Sequence, residues 1–214
     1  EGNIDKASVQ AEEAVRAAPQ RPFGYMLRAR VSMARQDWAA AREAVGEALR
    51  RAPDSFEALL VQADISMREG DLEQCKRALD EAARVRPDAA VVYAARAEAR
   101  LGLKAYAEAE QDARRAAELD PKDPRARVTI ARARLAQGSL DGAAAAYEEA
   151  LALAPQDAAV RFAFAELCAA RKDYQKAATL LEAVAEDDPL YVRARTRIAD
   201  LHEALGNREA ASAE

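Results

Sequence analysis

Small and bulky apolar residues recur along this chain with a long, regular period. Setting a repeating proline at position 32 puts Ala29, Ala63, Ala97, Ala131, Ala165 and Ala199 at position 8. Position 20 is then Ala7, Ala41, Cys75, Ala109, Ala143, Ala177 and Ala211, and position 27 is Ala14, Ala48, Ala82, Ala116 and Ala150 before Val184. Position 17 is bulky at Ile4, Trp38, Leu72, Tyr106, Leu140 and Tyr174, and fails only at Arg208. The prolines themselves, Pro19, Pro53, Pro87, Pro121, Pro155 and Pro189, are spaced by 34 residues. Two helices approach to the short end of the usual spacing, roughly 8–10 Å, only where their side chains are small. The alanine columns therefore predict close helix contacts, with the residue at position 17 filling the wedge beside them. Each period predicts a helix A over about positions 1–14 and a helix B over about 16–30.

The breaks between helices carry turn chemistry. Gln36-Asp37, Gly70-Asp71, Gly138-Ser139, Lys172-Asp173 and Gly206-Asn207 lie between A and B. Asp, Ser and Asn cap helix N-termini through a side-chain oxygen, and glycine suits the left-handed residue that ends the preceding helix. Helix B is closed by proline, which pushes the residue before it out of the helical region. Repeat three reads Gly102-Leu103-Lys104-Ala105, so its turn is expected to begin early. The organisation is one continuous array over 1–214. A partial repeat at 1–21 holds helix B only, full repeats follow at 22–55, 56–89, 90–123, 124–157 and 158–191, and a partial repeat fills 192–214. Thirteen helices follow, the last a stub of helix B after Gly206. The chain starts and stops inside a repeat, which is the expectation for a segment of a longer array.

A helix–turn–helix period of this length is the tetratricopeptide one, and the columns resemble that family over essentially the whole chain. The second half of the family pattern is well kept: alanine at 20 and 27, an apolar residue at 24 and proline at 32. The first half departs. Position 4 is Tyr25, Leu59 and Tyr93, then Arg127, Arg161 and Arg195, and position 7 is Arg28, Gln62 and Arg96 before Ile130, Phe164 and Ile198. The resemblance implies an all-α, right-handed superhelical solenoid of antiparallel helix pairs. It also implies a scaffold for protein–protein interaction, with positions 2, 5, 9 and 12 of helix A pointing into a groove.

Composition changes this picture little. Half the residues are apolar and 32% are charged, with a net charge of −5, which is the wrong sign for a nucleic-acid footprint. Arginine outnumbers lysine 26 to 6, and with the alanine content this suggests a GC-rich bacterial gene. No apolar run reaches the roughly 18 residues of a membrane span, and no signal-peptide pattern opens the chain. The single histidine, His202, makes a His-based metal cluster or a Ser-His-Asp triad unworkable, and His202 is expected to pack against a following repeat. No Gly-rich phosphate loop is present. No catalysis, cofactor or metal is expected. Cys75 and Cys168 lie three repeats apart, beyond the roughly 7 Å reach of a disulfide. Two buried free thiols fit a reducing cytoplasm better than a periplasm; a signal peptide on a longer protein would reverse that expectation.

Candidate binding residues come from the groove positions. Position 5 is Met26, Leu60, Ala94, Val128 and Phe162, and position 12 is Met33, Met67, Leu101, Leu135 and Ala169. Position 9 alternates in charge through Arg30, Asp64, Glu98, Arg132, Glu166 and Asp200. An apolar ladder flanked by charge would hold a peptide, helix or protein partner; the other reading is that positions 5 and 12 pack against neighbouring helices A. A basic surface is the second candidate: Arg125, Arg127, Arg161, Arg193, Arg195 and Arg197, with Arg132 and Arg134 beside them. It offers an acidic partner a site, or else the arginines pair with acids on adjacent helices. Arg193 and Arg197 match two positions of the family's chaperone-tail clamp, but Val128 at position 5 and Ala163 at position 6 do not, so that ligand is not expected. An alternative function is a helical arm that positions a larger enzyme, or a secretion or polysaccharide-export assembly.

Overall fold

The structure, a computed structural model, describes residues 2–212, with side chains described for 3–206. Twelve α-helices and no strand are found among the described residues. They fall into two compact units, Glu1–Leu119 and Asp120–Glu214. In the first, α1 (Gly2–Ala17) is a helix B, and the pairs α2 (Pro22–Ala34)/α3 (Trp38–Arg51), α4 (Phe56–Glu69)/α5 (Leu72–Val85) and α6 (Ala90–Gly102)/α7 (Tyr106–Leu119) follow. In the second, α8 (Pro124–Ala136) pairs with α9 (Leu140–Leu153), α10 (Ala158–Ala170) with α11 (Tyr174–Glu182), and α12 (Tyr191–Ser212) closes the order.

The alanine columns are the helix contacts. In the five full repeats, positions 8, 20 and 27 are all buried, none more than 4% exposed. An added side chain has nowhere to go there. Ala97→Leu or Ala131→Leu is expected to lower stability by about 1–3 kcal/mol through overpacking. Urea melts that leave both variants at wild-type stability would contradict that placement. Ala199, in the same column of α12, is exposed.

Position 15 turns the chain in every full repeat. Gln36, Gly70, Lys104, Gly138 and Lys172 all have positive φ, between 60° and 81°, so only two of the five use the residue that tolerates this best. Repeat three does not turn early: α6 ends at Gly102 and Lys104 takes the left-handed position with φ 61°. A Cβ at Gly102 would press only on the flexible end of the Leu72 side chain. Asp37, Asp71 and Asp173 then cap helices B through bonds from Ala40, Gln74 and Lys176 N–H. Ser55, Asp123 and Asp157 cap helices A.

One departure at position 4, Arg161, does the work of the tyrosines found there in other repeats. Tyr25 donates its hydroxyl to Pro19 O at 3.2 Å, and Tyr93 does the same to Pro87 O at 3.0 Å. Arg161 Nε donates to Pro155 O at 3.0 Å. Tyrosine and arginine thus satisfy the same carbonyl, left open six residues earlier where proline ends helix B.

Two differences from the sequence reading concern the C-terminal unit. Helix α11 stops at Glu182, before Val184, which is buried in the column where other repeats carry alanine. Glu186, Asp187 and Asp188 follow, and acids at a helix C-terminus oppose its dipole. The stub of helix B after Gly206 is also absent as a separate element, since α12 runs unbroken to Ser212. Elsewhere helix B folds back because its apolar face buries against helix A. Arg208-Glu209-Ala210-Ala211 are helix-forming residues, and α12 continues through them.

Candidate partner-binding surface

Position 5 and 12 side chains of the N-terminal unit sit at the seams between successive helices A. Met26 and Met33 are half-buried against a cluster of Tyr25, Ala29, Ala58 and Ile65, the last two from α4. Leu60 and Met67 are half-buried in turn against a cluster that includes Val92 and Ala99 of α6. Leu101 is half-buried as well. Each side chain therefore fills a seam with one face and keeps another in solvent. Along the same unit Arg30 is exposed, Asp64 accepts from Arg68 Nε at 3.1 Å, and Glu98 is half-buried.

In the C-terminal unit Val128 is half-buried and Leu135 is exposed, while Arg132 is exposed beside them. Phe162 is buried, with the Arg193 guanidinium 4.4 Å from its ring centre. Glu166 accepts from Arg197 Nε at 2.8 Å. The expected basic surface is largely spoken for by near neighbours. Arg125 is fork-bonded to Asp123, Arg161 holds Pro155 O, and Arg197 joins Glu166 and, at 3.6 Å, Asp200. Arg127 lies tucked in, 3.8 Å from Glu149, with its Nη1 buried and without a hydrogen-bond partner. Arg195 is exposed.

Sequence reasoning missed two things. Phe23 and Val91, both at position 2 of helix A, are the open apolar side chains of the N-terminal unit's helix A faces, 66% and 55% exposed. Position 2 is one of the inward positions, so the signal was present. The other is an ionic node in repeat three. Asp112, buried, accepts from Arg96 Nε and Nη2 at 2.8 and 2.7 Å and lies 2.8 Å from Arg100 Nη1; Arg96 Nη1 also reaches Asp80 at 2.9 Å. The hydrogen bond to Asp112 holds the Arg96 pKa above its ordinary value despite desolvation. No column rule announces such a node, because Asp112 occupies a place that is Ala44, Ala78 and Ala146 in other repeats.

His202 is exposed rather than packed. Among the described residues no group of His, Cys, Asp or Glu could hold a metal ion, and no helix is long and apolar enough to cross a membrane. Cys75 and Cys168 are free and buried. Burial, with Asp64 and Asp71 nearby, pushes the Cys75 thiol from an ordinary 9.0 up to about 11, and burial also raises Cys168. The unfolded chain therefore releases these protons first as pH rises, so this stabilisation is complete below pH 9 and declines as pH climbs toward 11. Iodoacetamide at pH 8 is expected to leave both thiols unmodified in native protein and to modify both in urea; rapid native labelling would contradict their burial.

The paired helices, position-15 turns and buried alanine columns define a tetratricopeptide-repeat protein. One tetratricopeptide-repeat model matches residues 26–74 and 67–124, and another matches 100–161, 134–189 and 169–214. The chain belongs to that family. Its fold is the kind on which protein–protein interaction scaffolds are built. Among solved structures it is similar to PilF of Pseudomonas aeruginosa, with TM-score 0.73 and 19% identity over 90% of this chain and 87% of that one. It is also similar to MamA of Desulfovibrio magneticus RS-1, with TM-score 0.70 and 16% identity over 86% and 96% of the two chains. A third is YrrB, described as a TPR protein with an unusual peptide-binding site, with TM-score 0.68 and 17% identity over 87% and 97%. No curated protein matches the sequence.

Proposed function

We propose that the chain is a non-catalytic interaction scaffold that holds a peptide, helix or protein partner on the faces of its helices A. The observation that carries this is the row of half-open apolar side chains Met26, Met33, Leu60 and Met67, with Phe23 and Val91 standing out beside them. Burying such side chains under a partner removes apolar surface from water without unfolding the seams they fill. Methionine suits this work because its unbranched chain repacks against irregular surfaces. Arg30, Asp64 and Glu98 flank the row and would select a partner by charge. YrrB's description as a peptide-binding TPR protein is consistent with this mode of action. We place the protein in the cytoplasm, on the strength of its two buried free thiols.

The test is a peptide selected against the purified chain from a displayed random library, measured by calorimetry. Phe23→Ala and Leu60→Ala are each expected to weaken it by about 1–2 kcal/mol or more if they are anchors, with helicity unchanged. Leu119→Ala, at the end of α7, is expected to lower thermal stability and leave affinity alone. Wild-type binding by both anchor variants, with loss in Arg127→Ala or Arg195→Ala, would move the working surface to the arginines.

A further inference from the structure

The edge of repeat three holds a pocket that the helix A faces do not include. A cavity of about 550 Å³ lies between α6 and α7, lined by Tyr93, Arg96, Arg100, Gln111, Asp112, Arg114, Arg115 and Glu118. That size falls within the roughly 300–1,000 Å³ of small-ligand sites. We propose that this pocket binds a dianionic oxyanion of the phosphate-monoester class.

The geometry gives each wall a task. Arg96 and Arg100 form the fixed wall: both are held on the buried Asp112 at 2.7–2.8 Å and cannot swing away. Tyr93 is pinned by its bond to Pro87 O, and the guanidinium carbons of Arg96 and Arg115 lie 5.3 and 6.0 Å from its ring centre. Arg114 and Arg115 form the movable wall. Their partners are Glu110 at 2.6 Å and Glu118 at 2.9 Å, on their own helix, and both arginines are about half exposed. The Arg115–Glu118 pair, open to solvent on both sides, is weak and readily exchanged, while Arg114 leans on the more enclosed Glu110. A dianion entering the pocket replaces them with fork-shaped guanidinium contacts, the geometry that arginine offers phosphate better than lysine does.

Charge favours the same occupant. The lining carries four guanidiniums against two carboxylates, Asp112 and Glu118. Outside the lining, Asp80 backs Arg96 and is shared with Lys76 at 3.8 Å, and Glu110 pairs with Arg114. A phosphate monoester carries about −1.5 to −2 near neutral pH and offsets the excess, which a neutral or cationic ligand would leave in place. The monoester could come from a phosphorylated side chain of a protein or from a free small phosphate.

The experiment titrates the intact protein at fixed ionic strength with three probes: inorganic phosphate, a capped Gly-phosphoserine-Gly peptide and its unphosphorylated twin. Calorimetry is expected to show saturable binding of the phosphorylated peptide, at least about tenfold tighter than the twin. Equal affinity for inorganic phosphate would identify a free phosphate as the source, and weaker affinity would identify a phosphorylated chain. The double variant Arg114→Gln/Arg115→Gln, both on the surface, should lose at least about tenfold in affinity. Arg84→Gln, which removes a comparable exposed arginine of α5, should lose none. No saturable binding, full binding by the double variant, or equal loss in Arg84→Gln would each overturn the proposal.

Discussion

Asp112→Ala is expected to cost about 3–5 kcal/mol of folding free energy, the range seen when one partner of a buried ion pair is removed. The Asp112 side chain is 5% exposed, and those of Arg96 and Arg100 are 13% and 19% exposed. Without the carboxylate, Arg100 keeps only its 3.2 Å bond to Glu108 O and Arg96 keeps only Asp80. Two guanidiniums then remain inside the helix pair with too few acceptors. The cost comes mainly from desolvated charge, so removing the charges as well should relieve it. The triple variant Arg96→Leu/Arg100→Leu/Asp112→Ala is expected to recover most of the loss, because apolar replacement of a buried ionic cluster is often neutral. Urea denaturation of the variants checks this. A loss below about 1 kcal/mol in Asp112→Ala, typical of exposed pairs, would mean that water already reaches the node.

Phe164→Ala is the counterpart in the C-terminal unit, expected to cost about 3–5 kcal/mol. Phe164 holds position 7 of its repeat, 2% exposed, and stacks on Tyr147 with ring centres 5.8 Å apart. Tyr147 on α9 and Lys176 on α11, whose Nζ lies 4.8 Å from the ring centre, belong to helices fixed by the alanine columns, so the space left by the ring cannot close. Phe164→Leu should keep more than half of that stability. Thermal melts in which the two variants coincide with wild type would show the ring to be peripheral.

These two variants probe the same level of the repeat, and there the chain uses two different interiors. Repeat three places Arg96 and Asp112 where repeat five places Phe164 and Leu180. The period, the helix pairs and the buried small columns were all legible in the sequence, since each follows from side-chain size at a fixed position. The node was not. Arginine at position 7 reads as surface until its acid appears sixteen residues away on the facing helix. Position 4 was misleading in the opposite direction: Arg161 looked like part of a basic surface, yet it satisfies the Pro155 carbonyl as tyrosine does elsewhere. The helix A faces were half legible. The family pattern pointed to positions 5 and 12, but how far each side chain sinks into its seam depends on the neighbouring helix. Phe162 sinks fully and Leu135 does not.

A partner is expected on the helix A faces, and the chain carries its own reporters there. Its only methionines are Met26, Met33 and Met67, all on α2 and α4. Methionine methyl NMR therefore gives one signal for each of three points on the proposed surface. Titrating the library-selected peptide is expected to shift all three signals, with saturation at the calorimetric affinity. Unmoved methionine signals under saturating peptide would contradict the account, most plainly if Arg127→Ala or Arg195→Ala abolished the same binding.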